Sequence, residues 1–342
     1  GLPDPLWSRG LGDVYKRQPS LLFGFFSGLS IFLYKKNILR PKRYKTKIVS
    51  IGNLIMGGAG KSPTVEYIAN YFISKNTHFA IISRGYKRKT KGMIVATDKD
   101  TYLTIGDEPS QYNKKFSSYA KIIVSEDRNL ALSYCDENNI KFAIMDDAFQ
   151  NLTFEKDLNV LVSSFEKPFF YDDRFPMGML RESKNNAFRA DLLLYSNCPE
   201  NISVQKIKRF KTKSAYYLRP KTPILYSYIK YNRPLKIFGS RLKKDVIVIS
   251  SIAYPEKFYN YISSKYNVIE EINFRDHHNY SDEDLKDIAK KLSDNISLIT
   301  TEKDAVKLCE FPDILSPYSV YYVPISTEYL FDNKLSDYIE RL

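Results

Sequence analysis

Only three cysteines and three histidines occur in 342 residues. Cys135, Cys198 and Cys309 are scattered, with neither zinc-site nor disulfide spacing, and fit a reducing compartment without a catalytic thiol. His277 and His278 are adjacent, but neighbours in an extended segment point apart and no third soft ligand stands nearby, which argues against zinc. Acids are outnumbered, 39 against 52 Lys and Arg, for a net charge of +13. Such an imbalance implies an anionic partner: nucleic acid, anionic lipid or a phosphorylated substrate. No Asn-Lys-x-Asp motif follows a strand-like run, which argues against a guanine-reading switch, and no internal repeat or low-complexity segment stands out.

The position of the charge narrows the choice. Seven Lys or Arg and no acid lie between Lys35 and Lys47, directly after an uncharged apolar run of 16 residues at 19–34. That run is shorter than the roughly 20 residues needed to cross a bilayer upright. An apolar segment followed by a basic cluster reads as an attachment to the cytoplasmic leaflet, either as a short span or as a helix lying in the interface; the competing reading is a buried core helix. A secretory signal would carry its charges ahead of the apolar core, so export is excluded. Nucleic acid is disfavoured as the partner because the charge sits beside the apolar run. Residues 1–18 show no periodic pattern and read as a non-native extension, outside the fold.

The strongest local signal is the glycine-rich stretch from Gly52 through Gly57, Gly58, Ala59 and Gly60 to Lys61 and Ser62. It follows a β-branched run at 47–51 and precedes a helix-like run at 63–72, the order a phosphate-binding P-loop requires. Glycines let successive N–H groups face phosphate oxygens, and the helix N-terminus adds partial positive charge. Lys61 is then expected to reach the β- and γ-phosphates of a nucleoside triphosphate, and Ser62 to ligand Mg²⁺. The spacing departs from the general consensus, since Ile55 stands where the first glycine is usual. The competing reading is a glycine-rich βα turn without a ligand.

Further apolar runs at 78–82, 120–124, 141–145, 158–162 and 191–195 alternate with helical segments, which predicts a mostly parallel α/β sheet with ligands at the carboxyl ends of its strands. A stretch broken by Pro220, Pro223 and Pro234 reads as a hairpin-like linker, and a second α/β pattern starts at 245–250. The expected organisation is an extension at 1–18, a membrane-associated helix with its basic flank at 19–44 and a P-loop domain at 45–215. The linker at 216–243 and a smaller C-terminal α/β domain at 244–342 complete it.

Phosphoryl transfer also needs a metal site and a group to orient the nucleophile. The strand-like run ending in Asp146 and Asp147 is the natural second half of a Mg²⁺ site. Asp107, after Gly106, could take a proton from a substrate hydroxyl, or could simply open a helix as an N-terminal acid. Arg84, Arg128 and Arg181 follow strands or lie in loops, and could clamp phosphate or be solvated surface cations.

Taken in order, these motifs resemble the tetraacyldisaccharide 4′-kinase family. The resemblance runs through Gly52-Asn53-Leu54, Gly57 to Pro63, Ser83-Arg84-Gly85-Tyr86, Gly106-Asp107-Glu108-Pro109 and Asp146-Asp147-Ala148-Phe149-Gln150. It continues through Leu180-Arg181-Glu182, Phe274-Arg275-Asp276-His277-His278 and Thr301-Glu302-Lys303-Asp304-Ala305. The long P-loop is similar to that family's own form. The resemblance implies an ATP-dependent lipid kinase at the cytoplasmic face of the bacterial inner membrane. Its substrate would be an acylated glucosamine disaccharide 1-phosphate, phosphorylated at the 4′-hydroxyl. It implies ATP contacts from Gly57, Gly58, Ala59, Gly60, Lys61, Ser62 and Arg128, and a Mg²⁺ shell of Ser62, Asp146, Asp147 and Glu182. It further implies Asp107 as base with His277, rather than His278, orienting it, and Arg181 stabilising the transferring phosphoryl group. Two departures stand out: Ala148 replaces a usual Gly, and Asn151 replaces a frequent His. The rival expectation is a membrane-associated P-loop ATPase or switch.

Overall fold

The computed structural model describes residues 29–34 and 36–342. The extension at 1–18 and most of the apolar run at 19–34 therefore lie outside the described residues. Residues 29–34 are helical and expose Leu29 and Phe32. Among the described residues no helix is long and apolar enough to cross a membrane.

The chain folds as two compact units. The first comprises the described residues up to Phe79 with Leu132–Tyr228 and Glu328–Leu342; the second comprises Ala80–Ala131 and Ile229–Thr327. The segment 80–131, assigned by sequence to the P-loop domain, thus groups with the later α/β residues, and the last 15 residues return to the first unit.

In the first unit a parallel array runs Ile224–Tyr231, Leu192–Ser196, Leu158–Ser164, Lys47–Gly52, Phe142–Asp146. Lys47–Gly52 leads into the glycine loop, and all but its first residue are buried. Continuous burial on both faces explains why these strands read as unbroken apolar runs rather than alternating ones. The register sets Ile51 beside Asp146, so the strand entering the glycine loop and the strand ending in the acid pair finish side by side. Beneath the array lies an aromatic core, with the Phe165 and Phe210 rings stacked at 4.3 Å and Tyr195 against Tyr226 at 5.5 Å.

The second unit contains a five-stranded sheet ordered Asn267–Asn273, Asp245–Ser250, Ile296–Thr301, Val320–Val323, Leu235–Phe238, parallel except for the last strand. Its helix Asp107–Phe116 packs on the helix Glu302–Leu308, tied by Lys115 to Glu302 at 2.9 Å and by Lys114 donating to the Val306 carbonyl at 3.1 Å.

The two strands within 216–243 do not pair with each other as a hairpin would. Ile224–Tyr231 lies parallel to Leu192–Ser196, whereas Leu235–Phe238 runs antiparallel to Val320–Val323. Pro234 supplies a reason: the residue before a proline is steered from the helical to the extended region, which favours a chain that continues forward.

One close approach holds the site together. A Cβ added at Gly52 would lie 2.5 Å from the Phe149 Cβ and 2.6 Å from its backbone N. Because backbone cannot move aside cheaply, Gly52→Ala is expected to destabilise the protein by about 1–3 kcal/mol by displacing the acid-pair turn. Denaturant unfolding checks this; an unchanged midpoint would refute it.

Candidate active site

In the first unit the glycine loop is built by a few specific contacts. Gly57 and Gly60 have φ of 100° and 80°, a region that L side chains avoid. Gly60 precedes the helix Lys61–Ser74, whose first turn carries Lys61 and Ser62. The Asn53 amide donates to the Ile55 carbonyl at 2.5 Å, and its Oδ1 accepts from Lys61 Nζ at 3.3 Å. Ser196 Oγ, at the end of the strand Leu192–Ser196, donates to the Ala59 carbonyl at 2.6 Å. On the outer side the loop is zipped to residues 179–181: Met56 N donates to the Met179 carbonyl and Arg181 N to the Leu54 carbonyl, both at 2.8 Å.

That zipper places Arg181 Nη1 2.9 and 2.8 Å from the two Asp147 carboxylate oxygens, while Lys61 Nζ stands 3.5 Å from Oδ1. Burial raises the Asp147 pKa, but the Lys61 and then the Arg181 charge more than reverse this and hold the carboxyl below its ordinary range. Asp147 itself takes the left-handed conformation, φ 51°. Ala148 has no positive φ, so the departure from glycine costs no strain; its N–H donates to the Ile51 carbonyl at 3.0 Å. Asn151 closes a local turn by accepting from Thr153 N and Oγ1, both at 2.8 Å. Asp146 is buried at the strand end.

Glu182, also buried, accepts from Arg189 at 2.5 Å, Asn186 at 2.7 Å and Gln150 at 3.1 Å. Gln150 also donates to the Asn53 carbonyl at 2.8 Å, joining Glu182 to the glycine loop. Lys156 donates to the Ala148 and Phe149 carbonyls at 2.7 and 3.0 Å, and burial together with the Arg189 charge lowers its pKa to about 7.

The second unit assembles a separate acid–base cluster. Asp107 opens the helix Asp107–Phe116 after Gly106 (φ 93°) as a first-turn carboxylate, and its side chain is buried. His277 Nδ1 lies 2.9 Å from Asp107 Oδ2, and Lys307 Nζ lies 3.0 Å from the same oxygen. His277 Nε2 lies 3.0 Å from Lys303 Nζ. An ammonium can only donate, so Nε2 accepts and Nδ1 carries the proton toward Asp107. Glu108 and Asp276 flank the pair, 3.5 and 3.9 Å from Lys303 Nζ. His278 instead meets Asp284, at 2.9 Å. His277 has φ 58°, and its loop is held at two points: its N–H donates to the Ser251 carbonyl at 3.1 Å, and Lys307 donates to the His278 carbonyl at 2.8 Å. Asp304 accepts from Ser251 N at 2.9 Å and Thr301 Oγ1 at 2.7 Å, which gives the Thr301–Asp304 motif a structural role. Arg128 is buried and donates to the Ser125 carbonyl at 2.9 Å; Arg84 is exposed.

The family model described as tetraacyldisaccharide-1-P 4′-kinase matches residues 17–342. The chain belongs to that family. It is 30% identical over 335 residues to the tetraacyldisaccharide 4′-kinase of Flavobacterium psychrophilum, covering 94% of this chain and 95% of that protein. It is 32% identical over 343 residues to the enzyme of the same name from Porphyromonas gingivalis, covering 94% of each. Among solved structures it resembles LpxK from Aquifex aeolicus in complex with ATP, with a TM-score of 0.74, 26% identity, and coverage of 94% of this chain and 96% of that one.

Of the expected residues, the structure brings Lys61, Asp147 and Arg181 together in the first unit and Asp107 and His277 together in the second, whereas Arg128, expected to act with Arg181, belongs to the second unit and meets the Ser125 carbonyl. Sequence reasoning did not single out Ser196, Gln150, Lys156, Lys303 or Lys307 for these roles. Lys307 had a readable signal: it lies four residues after Lys303, on the same helical face.

Lys307 fixes both the carboxylate and the histidine loop from a fully buried position. Burial raises the Asp107 pKa, while the His277 hydrogen bond and the Lys307 charge hold it below 3.8. Its stabilising contribution is therefore complete above that ordinary value and lost as pH falls through the lowered one. Lys307→Met should raise the acidic limb of the pH–kcat/KM profile by about one pH unit or more and lower kcat at least about tenfold, with ATP affinity retained. An unmoved limb with kcat within twofold would remove Lys307 from this role.

Proposed function

We propose that the chain is an ATP-dependent kinase that phosphorylates the 4′-hydroxyl of a tetraacylated glucosamine disaccharide 1-phosphate, giving the 1,4′-bisphosphate. Family membership carries the reaction. The observation that carries the mechanism is the pair of separate devices: a lysine-bearing glycine loop, and a carboxylate held ionised by two donors.

Loop amides from Gly57 to Ser62 and the Lys61 ammonium would hold the β- and γ-phosphates. Lys61 meets Asp147 and Asn53 at 3.5 and 3.3 Å, long contacts that a phosphate oxygen could replace. Ser62, Asp146 and Asp147 offer only oxygen donors, which suits the hard Mg²⁺ ion. When bound, that ion would neutralise charge on the β- and γ-oxygens. Glu182 supports the set through Gln150, with its carboxylate engaged by Arg189 and Asn186.

Both contacts to Asp107 fall on Oδ2. Oδ1 is then the oxygen that takes the proton as the 4′-oxygen attacks the γ-phosphorus, with ADP leaving. His277 holds the carboxylate through Nδ1–H and, positioned by Lys303, stabilises its orientation. Arg181 is drawn from Asp147 toward the transferring group, and Arg128 adds positive charge.

A substrate with four acyl chains barely leaves a bilayer, since each buried CH₂ contributes about 0.8 kcal/mol. We therefore place the enzyme at the cytoplasmic face of the inner membrane, against anionic lipid, with residues 19–34 and the basic block at 35–47 as attachment.

Labelled ATP incubated with the disaccharide 1-phosphate lipid should yield labelled lipid, and Lys61→Ala and Asp107→Ala should each lower kcat at least about 10²-fold. ATP hydrolysis indifferent to lipid, with no labelled lipid formed, would instead establish an ATPase. Near-normal turnover in Asp107→Ala would remove it as the base.

A further inference from the structure

The zippered residues that position Arg181 belong to a segment with an unusual surface. From 171 to 179 alternate residues are exposed: Tyr171, Asp173, Phe175, Met177 and Met179. Four of these five are large and apolar, with relative exposures of 53% for Tyr171, 46% for Phe175, 43% for Met177 and 48% for Met179. Contiguous apolar display on a folded surface marks a contact site. Asp172 is turned into the loop, accepting from Asp173 N and Met179 N at 2.8 and 3.1 Å, and Asp173 faces Lys184 at 3.7 Å.

Beside this segment lies the helix Val204–Ala215, which carries five Lys or Arg and no acid, all five exposed. Lys206, Arg209 and Lys213 share one face by their spacing. That face adjoins the aromatic segment: Arg209 and Lys213 stand 5.7 and 5.8 Å from the Tyr171 ring centroid, and Lys206 stands 4.8 Å from that of Phe165.

We propose that residues 171–179 and the Lys206–Arg209–Lys213 face form a docking surface for an anionic phospholipid bilayer, distinct from the apolar run at 19–34. Apolar side chains beside a row of cations match the layering of such a surface, with acyl chains beneath anionic headgroups. Because Met179 and Arg181 are hydrogen-bonded to the glycine loop, the segment that meets lipid is continuous with the one that sets the phosphate site. The choice of bilayer as partner rests on the lipid-kinase reading; the surface itself does not.

The test uses the full chain with Trp7→Phe and Phe175→Trp, mixed with phosphatidylglycerol vesicles carrying brominated acyl chains. The introduced indole is expected to be quenched at least twofold, and an unquenched indole in protein that sediments with the vesicles would overturn the proposal. In the full chain, Lys206→Glu/Arg209→Glu/Lys213→Glu should weaken binding to phosphatidylglycerol vesicles at least about tenfold, leaving binding to neutral phosphatidylcholine vesicles unchanged. Unchanged phosphatidylglycerol binding, or a loss confined to oligonucleotide binding, would overturn it as well. Phosphoryl transfer to detergent-dispersed substrate separates the two readings. Transfer without quenching sinks only the docking surface, whereas quenching without transfer by the parent chain sinks only the kinase.

Discussion

The near-contact of Gly52 with Phe149 is the constraint on which the phosphate site depends. Two parallel strands end at Gly52 and Asp146, and any side chain at Gly52 would collide with the backbone following the acid pair. With that approach closed, the Ala148 amide reaches the Ile51 carbonyl, and Asp147 is turned into the left-handed conformation. From there its carboxylate meets both Lys61 and Arg181. The carboxylate is only partly exposed, and the two cations compensate the hydration it loses. Gly52, at the start of the glycine-rich stretch, thus serves packing against the acid-pair turn. The actual bends of the loop are made at Gly57 and Gly60.

Much of this was legible. The strands at 79–83, 120–124, 142–146, 158–164 and 192–196 fall within a residue or two of the apolar runs, because a strand buried on both faces must be continuously apolar. Asp107 and His277, 170 residues apart, were joined only through the family resemblance; nothing in spacing connects them. The grouping of 80–131 with 229–327 was not legible either, since a chain that leaves a unit and returns to it does so without a local composition change. The pairing within 216–243 was misread because proline and alternating aromatics mark an extended linker as readily as a hairpin. Ser196 and Lys307 act on backbone carbonyls distant in sequence and Lys156 on two carbonyls a few residues before it, and a contact to a carbonyl imposes no pattern on the partner's side chain.

The two units each use a lysine facing an aspartate, with different physical characters. Lys61 is partly exposed and meets Asp147 at 3.5 Å, through a contact long enough to be exchanged for a phosphate oxygen. Lys307 has no exposed side-chain surface, meets Asp107 at 3.0 Å, and spends a second donor on the His278 carbonyl. A buried ammonium with its donors engaged has no low-cost alternative partner, because breaking such a pair leaves an uncompensated charge in a poorly hydrated site. The first lysine is suited to a cycle in which its partner changes, the second to a fixed scaffold. The same contrast separates the two acids. Asp147 is held by groups that a nucleotide would recruit, whereas both contacts that hold Asp107, from His277 and Lys307, fall on the same carboxylate oxygen.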